Sequence, residues 1–137
     1  MNRIVAACLV LAALVHFPPV AGIAGAEMLS GLYGVAIDDP SIVLLMRHRA
    51  VLFGVLGALL VAGAFVRSLR TFALIAGFVS VVSFLVLAAG VEPRSAAIQK
   101  IWVADWIALG FLVIAAAIEL RTKRHVAPAA TGAADLR

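Results

Sequence analysis

Four long apolar runs separated by short polar breaks dominate the hydropathy pattern of this chain. The first runs from Ile4 to about Ile23, the second from Pro40 to Val66, the third from Thr71 to about Gly90, and the fourth from Ile101 to about Leu120. A hydrocarbon core takes roughly 20 helical residues to cross, and each run is of that length. The segments between them are too short to fold alone. The pattern therefore predicts an all-α membrane protein, a four-transmembrane-helix antiparallel bundle over residues 1–125, with spans at about 4–23, 40–66, 71–90 and 101–120. Residues 126–137, rich in Ala, Pro and Gly, read as a disordered cytoplasmic tail.

The breaks carry their own signals. Pro18-Pro19 removes two amide donors and disfavours helix at Phe17, so the first span should kink or end early. Arg3, Ile4 to Val15 and Ala24-Gly25-Ala26 also fit a signal peptide; whether the span is retained or cleaved stays open, and Glu27 lies outside either way. Glu27 to Asp39 reads as a loop, and Asp39-Pro40 as an N-cap with proline at the first helical position. Arg67 to Thr71 reads as a short basic turn, and Val91 to Lys100 as a return loop broken at Glu92-Pro93-Arg94. Trp102 and Trp106 mark an interfacial belt.

Composition sharpens the class. Hydrophobic residues make up 65% and charged ones 13%, with a mean hydropathy of +1.16, whereas charged residues are about a quarter of a typical soluble domain. The net charge of +4 falls at span boundaries rather than on one face, which argues for topology and against nucleic-acid binding. Arg3, Arg67, Arg70, Arg121, Lys123 and Arg124 fall on one side, and Arg94 and Lys100 on the other with Glu27, Asp38, Asp39 and Glu92. This bias predicts cytoplasmic termini. Cys8 is the only cysteine, which excludes an intramolecular disulfide and a thiolate metal cluster. No phosphate loop or metal-spaced cluster appears.

The chemistry that remains is polar groups at membrane depth, where an ionisable side chain costs a few kcal/mol unless paired, wetted or snorkelled. Met46-Arg47-His48-Arg49-Ala50 opens the second span, His16 closes the first, and Asp105 lies early in the fourth. At about 1.5 Å per residue all fall in the outer third of the membrane. Arg47 shares a face with Ala50, Gly54, Ala58 and Val61, small residues that allow close helix approach, and is expected to point inward. Arg49 shares a face with Leu45, Leu52, Phe53, Leu56 and Leu60 and is expected to snorkel towards lipid. Asp105 aligns with Ile98, Ile101, Ala108, Leu109, Leu112 and Ala116, and Arg47 is its expected partner. The pair either only locks helices or, with His16, lines a cavity for an anionic or quinone-like head group. His48 reads as a packing residue. A haem b held by His16 and His48 is a further possibility. Ala73, Gly77, Ser80 and Ser83 form an expected packing seam in the third span. No catalytic or metal-binding residue is assigned.

His16-Phe17-Pro18-Pro19, Leu32-Tyr33-Gly34, the block Leu45 to Gly54 and Ala73 to Phe84 together resemble small uncharacterised four-helix inner-membrane proteins of bacteria, over residues 4 to about 120. In plan the chain also resembles DoxX-like four-helix proteins, which implies quinone-linked redox or membrane-complex roles. Some relatives of this kind carry the label phosphopantetheine adenylyltransferase. That is a soluble α/β activity, and the residues here show neither a parallel-sheet pattern nor a His-x-x-His phosphate site. The resulting expectation is a bacterial inner-membrane protein, a non-enzymatic binding or accessory subunit, in contact with the lipid bilayer and with a larger membrane complex or a second copy of itself. A DoxX-like quinone-linked protein and a small proton or ion conductor are the alternatives, and no bound cofactor is expected beyond quinone or haem b.

Overall fold

The computed structural model describes residues 2–126, with side chains to residue 122. The expected tail lies outside the described residues except for Val126, which ends the last helix. Helix α1 (Arg3–His16) starts at Asn2, whose side chain accepts from the Ile4 amide. The prolines then convert the chain into a 3₁₀ segment, Pro18–Ala24, so that the first candidate span runs Arg3–Ala24. Proline suits the start of such a segment because the first amides of a helix have no internal partner.

A short helix, α2 (Ala26–Tyr33), occupies most of the expected loop. It ends at Gly34, whose φ of 67° is the left-handed conformation that favours glycine after a helix. The Ser30 hydroxyl accepts the Ile37 amide at 3.0 Å and folds the chain back. Asp39 caps α3 (Pro40–Phe65), accepting from the Ser41 and Ile42 amides at 2.8 and 3.0 Å. Helix α4 (Arg67–Ala89) follows after a single extended residue, Val66, so the expected basic turn at 67–71 is helix. Helix α5 (Ala96–Val126) likewise starts earlier than expected, with Ser95 accepting the Ile98 amide.

The four long helices pack as a ring in the order α1, α3, α4, α5, with α5 closing against α1. Their axis is filled by Val5, Leu9, Leu60, Val81, Leu112 and small alanines. Close approach is set by glycine: a Cβ on Gly63 would lie 2.6 Å from the Ala73 Cβ, and one on Gly77 about 3.1 Å from Leu112. A second cluster of Leu29, Tyr33 and Ile37 covers one end of the bundle, here the α2 end. Large apolar side chains such as Leu44, Val55, Phe72, Val86 and Ile107 point outward around the ring. A girdle of this extent is untenable in water. It matches the four helices that are long and apolar enough to cross a membrane. Among the described residues there is no strand.

Candidate functional site

The axial face of α3 runs through Arg49, Phe53, Leu56, Leu60 and Ala64, positions three or four apart and thus on one side of a helix. Arg49 is half-buried, and its guanidinium lies 5.5 Å from the Tyr33 ring centroid and 5.1 Å from that of Phe53. Two cavities open beside it. One, of about 240 Å³, lies between α1, α2, α3 and α5 and is lined by Tyr33, Arg49, Phe53, Lys100 and Asp105, among others. The other, of about 580 Å³, is a groove between α3 and α4 lined by Leu52, Leu56, Ser80, Ser83 and Leu87. Arg49, Phe53 and Phe84 belong to both walls.

Asp105 is half-buried and lines the smaller cavity together with Arg49. The two are not in direct ion-pair contact. His16 is buried behind Phe53, with ring centroids 5.8 Å apart. Its Nδ1–H donates to the Ala12 carbonyl at 2.8 Å, which fixes the proton on that nitrogen because a carbonyl can only accept.

The expected roles of the two arginines are reversed. Arg47 is exposed, and its Nε–H donates to the Ile23 carbonyl at 2.9 Å, so it does not pair with Asp105. The cause lies in the first span. Its 3₁₀ extension packs on the small-residue face of α3, with Val20 on Gly54 and Phe17 on Gly57, so that face looks towards the extension rather than the axis. Ala50 is buried there, Gly54 is half-buried, and Ala58 is exposed rather than packed. Leu45 and Leu52 do face outward as expected, whereas Phe53, Leu56 and Leu60 of the same expected lipid face turn inward. His48 is exposed rather than tucked, whereas His16 is buried. Ala73 and Gly77 are buried in the helix seam, but Ser80 lines the groove and Ser83 is exposed, its hydroxyl donating to the Ser80 carbonyl.

A directly paired buried charge in the bundle went unrecognised in the sequence. Arg70 is 1% exposed, and its NH1 meets Glu119 Oε2 at 3.0 Å. Its Nε–H donates to the Gly63 carbonyl at 3.2 Å and its NH2 to that of Ala64 at 3.4 Å, closing the end of α3. The available signal was Glu119, an acidic residue at the basic end of its span. Arg94 similarly donates to Ala88 at the end of α4 while pairing with Glu92 and lying over Trp102. Arg47, Arg70 and Arg94 thus each close the carbonyl end of a helical segment. Arg49 is different. Among the described residues it is the half-buried arginine that makes no hydrogen bond or ion pair to a protein acceptor, its donors opening on the cavities.

Fold and site together define a multi-pass helical membrane protein with four candidate spans and a cationic cavity at one end of the bundle. No protein-family profile, curated protein or solved structure matches the chain. Among the described residues no group of three His, Cys, Asp or Glu side chains is arranged to hold a metal ion.

Proposed function

We propose that this is a non-enzymatic binding protein of the membrane, whose cavity at the α2 end takes a ligand with hydrogen-bond acceptors on its head group. The observation that carries this reading is Arg49. It lines two cavities without a protein hydrogen-bond partner, and its guanidinium lies over the Tyr33 and Phe53 rings. An arginine held by stacking keeps its hydrogen-bonding edge available for an anion or carbonyl. Convergent polar groups in a largely apolar cavity are the usual form of a small-molecule site. The charge bias of the loops favours a bacterial inner membrane setting with cytoplasmic termini and the cavity on the outer side.

A quinone-linked role is the second reading, because a quinone carbonyl would accept from Arg49 while its ring stacked on Phe53 or Phe84. A conducting path draws less support: Glu119 is tied to Arg70, and Leu60, Val81 and Leu112 fill the axis. The test is solvent extraction and mass spectrometry of the purified wild type, Arg49→Gln and Arg47→Gln proteins. A small molecule retained by the wild type and Arg47→Gln but depleted about tenfold in Arg49→Gln is the expected result, equivalent to the roughly 1.4 kcal/mol of a charge-assisted bond. Equal loading of all three removes the reading, and a quinone in the extract selects the second.

A further inference from the structure

The two cavities share a wall made by Arg49, Phe53 and Phe84, yet differ in character. The smaller holds the polar groups: Arg49, Lys100, Asp105 and Tyr33, two cations to one carboxylate. Its volume of about 240 Å³ is below the roughly 300–1,000 Å³ of drug-sized sites, so it suits a head group rather than a whole ligand. The larger is apolar apart from Arg49 and two serines, and it runs along α3 and α4 towards Val91. Its rim residues Leu52 and Leu87 are 52% and 74% exposed on the outer surface of the ring, where a bilayer would lie. The groove is thus open sideways to lipid, and Arg49 stands where it meets the polar chamber.

We propose that the two cavities are one site for a chain-bearing anion, with a phosphate or carboxylate head on Arg49 and Lys100 and a single alkyl or prenyl chain in the α3–α4 groove. The excess of positive charge selects an anionic head over a neutral or zwitterionic one. The groove selects a chain, since a free anion would leave apolar walls in contact with water. The lateral opening lets such a molecule enter directly from the bilayer. This rests on the binding role proposed for Arg49 and adds the class of ligand.

The experiment uses the full chain in a neutral maltoside detergent, with native mass spectrometry counting bound dodecyl phosphate, inorganic phosphate and dodecyl phosphocholine. Wild type should bind dodecyl phosphate about tenfold more tightly than either of the others. Arg49→Gln should abolish the preference for the anionic head. Ser83→Phe and Leu87→Trp, both at exposed positions on the groove, should reduce dodecyl phosphate binding about tenfold and leave inorganic phosphate binding unchanged. Helix content by circular dichroism identifies any variant that fails to fold, and either groove variant suffices. If inorganic phosphate binds as well as dodecyl phosphate and the groove variants change nothing, the chain-bearing ligand is overturned while the Arg49 head site stands. Equal binding of the phosphocholine overturns the anionic head. No Arg49-dependent binding of any probe overturns the whole inference, and the extraction experiment then decides the binding role separately.

Discussion

At the scale of single residues, Arg47, Arg70 and Arg94 complete the fold by closing helix ends, whereas the half-buried Arg49 does not. Arg70 spends three of its donors on Gly63, Ala64 and Glu119 in a position 1% exposed. Removing one partner of a buried pair leaves the other uncompensated, so Glu119→Ala should cost about 3–5 kcal/mol in unfolding from detergent. An Arg70→Met/Glu119→Leu double variant should recover a large part of it, because well-packed apolar side chains often replace buried ion pairs at little cost. Double-variant stability no better than Glu119→Ala alone would show that the bonds to Gly63 and Ala64, rather than the pair, carry the effect. Gly63→Ala is informative at the same spot. The added methyl meets the Ala73 Cβ at 2.6 Å, a backbone-borne group that cannot swing away, so overpacking should cost about 1–3 kcal/mol. By contrast Arg47→Ala forfeits one exposed hydrogen bond, and the same assay should register at most about 1 kcal/mol.

At the scale of elements, helices were legible wherever apolar length alone decided them, and illegible where a neighbour decided. The Asp39-Pro40 start of α3 was readable because capping is local, and Asp39→Ala should cost about 1 kcal/mol with Asp39→Asn close to neutral in thermal unfolding. The facing of α3 was not readable. Small residues mark a face that another segment approaches, but they do not say which segment, and here it is the 3₁₀ extension after Pro18-Pro19 rather than the bundle axis. That choice turned Arg47 outward and Arg49 inward, since residues two positions apart on a helix point nearly opposite ways. On α5, Ala108 and Leu112 enter the axial core while Asp105 lines the smaller cavity, with no interposed segment. Arg70 was missed for a related reason. One extended residue, Val66, suffices to reverse the chain, so what looked like a loop is the first turn of α4 and its arginine points into the bundle.

At the scale of the whole molecule, the outward apolar girdle and the two charged ends imply that the chain crosses a bilayer with Glu27, Asp38 and Asp39 at one surface and Arg67 and Arg121 at the other. Each of these five side chains is exposed, so a cysteine placed there reports which side of the membrane it occupies without disturbing the core. Cys8 is buried in the core, and Cys8→Ala provides the background. In intact cells a membrane-impermeant maleimide should label Glu27→Cys directly, and Arg67→Cys and Arg121→Cys only after permeabilisation, the outcome expected from the proposed cytoplasmic termini. The inverse pattern would keep the antiparallel bundle and reverse its orientation, moving the Arg49 cavity to the cytoplasmic leaflet. Labelling of Glu27→Cys and Arg67→Cys from the same side is incompatible with α3 crossing the membrane, since that helix alone separates them after α2 turns back at Gly34. The ring could not then be a transmembrane bundle, and the lateral opening between α3 and α4 would have no bilayer from which to take a ligand.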